Sequence, residues 1–96
     1  MNIGNFILKD KKPFETDLIS WALWMNDRSQ RIVAKDKFGD VEVSTVFLGL
    51  DHGWGGKSLW FETMIFGGEH DLYQNRCATW KQAEKMHQKA IDLVKK

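Results

Sequence analysis

Two β runs that echo one another at an offset of 18 residues constrain the fold of this chain more than any other feature. Val43-Ser44-Thr45-Val46-Phe47-Leu48-Gly49-Leu50-Asp51-His52 is followed by Phe61-Glu62-Thr63-Met64-Ile65-Phe66-Gly67-Gly68-Glu69-His70. Each is a β-branched and aromatic run that ends in glycine, a spacer, a carboxylate and a histidine. Parallel neighbours need a crossover of a dozen or more residues, so runs this close pair antiparallel. In the first run Val41, Val43, Thr45 and Phe47 share one face, and Glu42, Ser44, Val46 and Leu48 share the other. The first face is built for burial along its length; the second becomes apolar only near Gly49, where a helix or an oligomer contact would cover it. Residues 31–38 read as a further strand, joined to the first run through the tight turn Gly39-Asp40. Residues 59–66 form the third strand.

Helical periodicity brackets these strands. Leu18, Trp21, Ala22 and Met25 fall at i, i+3, i+4 and i+7, with Thr16 or Asp17 as N-cap and Asn26-Asp27-Arg28-Ser29 as terminator. This helix is too short to persist without packing. At the other end, Thr79 and Gln82 make a capping box. Counting 100° per residue from Lys81, the residues Trp80, Ala83, Met86, His87, Ala90, Ile91, Leu93 and Val94 occupy a sector from about 120° to 280°. The lysines Lys81, Lys85 and Lys89 stand on the opposite side. Phe6-Ile7-Leu8 and residues 71–76 are candidate extra strands at the two ends. The expectation is one α+β domain over residues 1–96: a three-stranded antiparallel meander packed by a short N-terminal helix and a long C-terminal amphipathic helix, with an additional edge strand available.

At 96 residues, a single core is barely large enough without a metal or disulfides. Five Trp, six Phe and one Tyr concentrate the apolar area it needs. One cysteine, Cys77, excludes an internal disulfide. No basic segment followed by an apolar one opens the chain, and no run approaches the roughly 18 apolar residues of a membrane span. A cytoplasmic location without membrane association is expected. The formal charge of +1 is too balanced for a polyelectrolyte binder, although residues 77–96 carry five basic and two acidic groups.

The runs at residues 43–52 and 59–68, then Arg76-Cys77-Ala78-Thr79-Trp80 with Ala83 and His87, together with Trp21, Trp24 and Arg31-Ile32-Val33-Ala34, resemble a widespread family of small uncharacterised bacteriophage and prophage proteins. The resemblance covers roughly residues 17 to 90. It implies a phage or prophage origin and brings no activity with it. Tyr is the residue associated with the position of Cys77, which implies that a thiol there is not essential.

No complete catalytic motif and no cofactor motif is present. Asp51/His52 and Glu69/His70 are metal-capable types and would suit a small metal-dependent hydrolase. In an antiparallel hairpin, however, about eleven strand residues at ~3.4 Å separate them by some 35 Å, so one ion cannot join them within one chain. Strand-end hydrogen bonding is the plainer role for both pairs. His87, on the apolar helical face at about 240°, reads as a boundary histidine bonded through one ring nitrogen. Cys77 precedes a helix N-terminus, where thiol pKa values fall, but it has no base beside it in sequence. Gly53-Trp54-Gly55-Gly56-Lys57-Ser58 lacks the spacing of a phosphate loop.

Two binding surfaces remain. Trp24, off the Leu18/Trp21/Met25 stripe, Trp54, in the Gly-rich loop, and Trp60, opposite Phe61 in strand phase, are candidate protein-interface anchors, for a homodimer or for a host protein. Lys81, Lys85 and Lys89, extended by Arg76 and Lys96, form the alternative, a nucleic-acid-binding face. The primary expectation is a non-enzymatic accessory protein acting by protein association.

Overall fold

In the computed structural model, which describes residues 4–53 and 55–96, the chain runs β1 (Asn5–Lys9), β2 (Lys12–Thr16), α1 (Leu18–Asn26), a short 3-10 helix (Arg28–Arg31), β3 (Ile32–Phe38), β4 (Val41–Phe47), β5 (Phe61–Phe66), β6 (Gln74–Cys77) and α2 (Trp80–Lys95). The protein is α+β, with two helices, a two-stranded sheet β1-β2 and a four-stranded antiparallel sheet in the order β3-β4-β5-β6.

The echoed runs pair as β4 and β5 in the register Val43↔Ile65, Thr45↔Thr63 and Phe47↔Phe61. Alternation then decides what is buried: Val43, Thr45, Phe47, Phe61, Thr63 and Ile65 are all fully enclosed on one face. The other face, with Glu42, Ser44, Val46, Glu62 and Met64, stays half-buried, and the ion pairs Lys35–Glu42 (3.2 Å) and Arg76–Glu62 (2.9 Å) lie across it. The three expected strands gain a fourth, because β6 pairs with β5 from Phe61↔Cys77 to Met64↔Gln74.

α2 lies on the buried face and contributes Ala83, Met86, His87, Ala90 and Ile91 to the interior. Its capping box is formed as expected: the Gln82 N–H donates to Thr79 Oγ1 at 3.1 Å, and the Thr79 N–H donates to Gln82 Oε1 at 3.2 Å. The apolar core is divided into two lobes. Phe6, Phe47, Trp60, Phe61 and Ala83 make one; Val43, Ile65, Ala90 and Ile91 make the other.

β1 is more than the extra end strand expected, since it forms a hairpin of its own with β2. Phe6 ties that hairpin to the end of the main sheet, by its N–H to the Gly49 carbonyl (3.0 Å) and by its ring, 4.5 Å from Trp60. The Gly49 carbonyl also accepts from Trp21 Nε1 of α1 at 3.0 Å. Gly49 has φ +77°, and a Cβ there would come within 2.7 Å of the Met25 side chain. Glycine is therefore required both by backbone conformation and by the close approach of α1.

Candidate functional site

The most extended polar constellation is a chain of side chains that crosses between the two apolar lobes, buried at Thr45, Thr63 and His87 and open to solvent at Asp36. Asp36 on β3 approaches His87 Nε2 of α2 at 2.7 Å, and His87 Nδ1 lies 2.7 Å from Thr45 Oγ1 on β4. Thr45 in turn bonds the Thr63 hydroxyl of β5. One donor order satisfies every group with a neutral ring: Thr63 donates to Thr45, Thr45 donates to Nδ1, and Nε2–H donates to the Asp36 carboxylate. His87 therefore uses both ring nitrogens, not the one expected, and it is 4% exposed.

Carboxylate, imidazole and hydroxyl in sequence are the parts of a nucleophilic triad. Here the hydroxyls of Thr45 and Thr63 have no exposure at all. A nucleophile must reach its substrate, so the chain of bonds serves to fasten α2 to three strands, not to attack one.

The other acid and histidine pairs sit where hairpin geometry puts them, beyond opposite ends of the β4-β5 ladder. Asp51 Oδ1 accepts from the N–H groups of Gly53 (2.7 Å) and Leu59 (2.9 Å) and closes the loop. Glu69 and His70 approach one another only to 3.9 Å. Among the described residues, no three or more His, Cys, Asp or Glu side chains gather as a metal site. At Cys77, burial pushes the thiol above its ordinary pKa, opposed by the backbone at Thr79. The thiol is thus held protonated at neutral pH, the opposite of an activated nucleophile.

Of the expected tryptophan anchors, Trp60 is enclosed in the core and is corrected on that ground. Trp60 is 7% exposed and is sandwiched by Phe6 and Phe47, whose ring centroid is 6.3 Å away. Strand alternation set it opposite Phe61, but β5 begins at Phe61, and the β1-β2 hairpin covers Trp60. Trp24 is half-buried and meets Phe47 edge-on at 5.8 Å, so it faces the core. Trp54 lies outside the described residues.

What α1 presents outward is aliphatic. Trp21, Trp24 and Met25 form its inner side, displaced from the expected Leu18/Trp21/Ala22/Met25 stripe. Leu18, Ile19 and Leu23 are 62%, 73% and 72% exposed, and no residue of the helix is buried. The signal was present in sequence: residues 18–26 contain no charged side chain. A helix apolar all round has more than one face to cover.

The basic residues are divided by the fold. Lys85, Lys89 and Arg76 line one cleft beside β6. Lys81 instead borders a cleft of about 490 Å³ with Lys11, Lys12 and Trp80. Lys96 stands near Glu69 and His70. In comparisons with protein-family models, curated proteins and solved structures, no match was found. Among the described residues, no helix is long and apolar enough to cross a membrane.

Proposed function

We propose that this protein works by association rather than by chemistry, as a phage or prophage accessory protein of the cytoplasm, and that its docking surface is the outward face of α1. The observation that carries the reading is the exposure of Leu18, Ile19 and Leu23 on a helix without charge. The aromatic inner side of α1 already packs on Phe47 and Gly49. Contiguous apolar surface of this kind marks interaction sites more often than idle surface.

The partner best matched to the face is a second copy of the chain. Two α1 helices packed antiparallel about a two-fold axis would bury aliphatic against aliphatic with no like charges between them. Their dipoles would oppose one another side by side, with Asp17 at the start of one helix beside Arg28 past the end of the other. The nucleic-acid alternative has weaker support, because Arg76, Lys81, Lys85, Lys89 and Lys96 are spread over three clefts. A metal-dependent hydrolase would need a ligand set beyond the separated Asp51/His52 and Glu69/His70 pairs.

Sedimentation velocity over a concentration series tests the reading. The native chain is expected to dimerise, and the double variant I19E/L23E to remain monomeric with an unchanged circular dichroism spectrum. A native chain that is monomeric at every concentration rejects the two-fold pairing. If that monomer still retains a host protein lost by I19E/L23E, the docking role stands and the partner changes.

A further inference from the structure

We propose that β6, with the groove beside it, is a second docking surface, independent of α1, and that it takes an acidic peptide segment in extended form. β6 is the outer strand of the four-stranded sheet, and Gln74, Asn75 and Arg76 are exposed along it. The Arg76 N–H donates to Oδ1 of its neighbour Asn75 at 3.0 Å. A strand-edge donor satisfied only by a local side chain can exchange that bond for the carbonyl of an added strand.

Two clefts meet along this edge. One of about 230 Å³ lies between β6 and α2; a second of about 540 Å³ shares Arg76, Cys77 and Gln82 with it and continues to Lys57 and Ser58. Lys57, Arg76, Lys85 and Lys89 line the pair, and among the described residues no carboxylate does. Glu62, which accepts from Arg76 Nε at 2.9 Å, holds that guanidinium on the strand. Lys85 and Lys89 of α2, with Lys57 farther along, are complementary to a segment with carboxylates on alternate residues, because one face of an added strand presents every second side chain. Arg76, paired with Glu62 on the opposite face of the sheet, contributes its backbone N–H to the edge.

A single-stranded nucleic acid would meet the charge requirement equally well, but it binds through aromatic platforms on which bases stack. Among the described residues no aromatic ring lines either cleft. An edge strand, by contrast, offers backbone hydrogen bonds that suit a peptide. The acidic peptide is therefore the partner the groove favours.

Fluorescence anisotropy with a labelled peptide of about eight residues, a common strand length, alternating Glu and Val tests this directly. The same peptide with Gln in place of Glu and an oligothymidylate of equal charge complete the set. The acidic peptide is expected to bind, and to bind about tenfold or more weakly once its charge is removed or K85E/K89E is introduced, as when complementary interface charges are lost. K81E, outside both clefts, should bind like the native chain. Hydrogen exchange at the Arg76 amide should slow when the acidic peptide is added. Absence of peptide binding, equal binding by the Gln peptide or by K85E/K89E, a loss with K81E as large as with K85E/K89E, or an Arg76 amide that does not respond would overturn the proposal. So would tighter binding of the oligothymidylate.

Discussion

Thr45 is where the chemistry of single residues weighs most on this fold. It has no exposure, stands between His87 Nδ1 and the Thr63 hydroxyl, and has Val43 and Phe47 as same-face neighbours. Thr45→Val keeps the shape of the side chain but strips both bonds and leaves an imidazole nitrogen buried without a partner. Such a loss costs about 1–3 kcal/mol. Asp36 bonds the opposite nitrogen, yet its side chain is 48% exposed, so water can replace part of what Asp36→Asn removes. Urea denaturation should therefore rank Thr45→Val as the more destabilising change. The reverse order would mean that the Asp36–His87 pair, not the hydroxyl chain, fastens α2. In an antiparallel pair an echo at constant offset meets its own equivalent at a single position, here Thr45 opposite Thr63. That register depends on where the intervening loop turns, which the echo alone does not set. The link to His87 was not legible, since nothing local shows which strand residue a helix will meet 42 positions later.

At the scale of elements, signals were strongest where one face is unambiguous. α2 pairs a capping box with a narrow apolar sector, and its buried residues were all in that sector. α1 has seven apolar residues in nine, so several stripes fit equally and the packed side could not be chosen from periodicity. The β1-β2 hairpin turns through Asp10 and Lys11, at φ +52° and +65°, without the glycine or asparagine that advertises such turns. β6 is a polar edge strand of four residues with no alternation to read. The nine residues of α1 also depend on their cap: Asp17 accepts from the Ser20 N–H and from its hydroxyl, both at 2.8 Å. Those bonds, the backbone one foremost, hold the Asp17 carboxyl below its ordinary value of 3.8. A carboxylate depressed in the folded state contributes stability in full above the unfolded value, and that contribution is lost as pH falls through the depressed one. Ser20 amide protection should therefore be constant above pH 3.8 and decline below it. In Asp17→Asn, whose side chain caps without titrating, that decline should vanish; an identical acid transition in the variant would assign the fraying to another group.

On the scale of the whole molecule, an 11.2 kDa chain must draw cooperative stability from two small apolar lobes separated by a polar layer. The β1-β2 hairpin closes the larger lobe, and it does so largely through Phe6, which is 9% exposed and meets Trp60 edge-on. Truncating a buried phenylalanine typically costs 3–5 kcal/mol, a large part of the 5–15 kcal/mol that holds a domain of this kind together. Phe6→Ala should lower the urea midpoint accordingly. Its effect should also be uneven. Trp60 loses its cover and the hairpin its anchor, so amides of β1 and β2 should exchange freely, while β4, β5 and α2 keep the Thr45–His87 tie and the Val43/Ile65/Ala90/Ile91 lobe. Residue-resolved hydrogen exchange distinguishes this from uniform loss. Uniform loss would mean that the two lobes unfold as one unit, with the polar layer transmitting the damage. A cost below about 1 kcal/mol, far under that for a buried ring, would mean that the hairpin rests on the sheet without sharing its core.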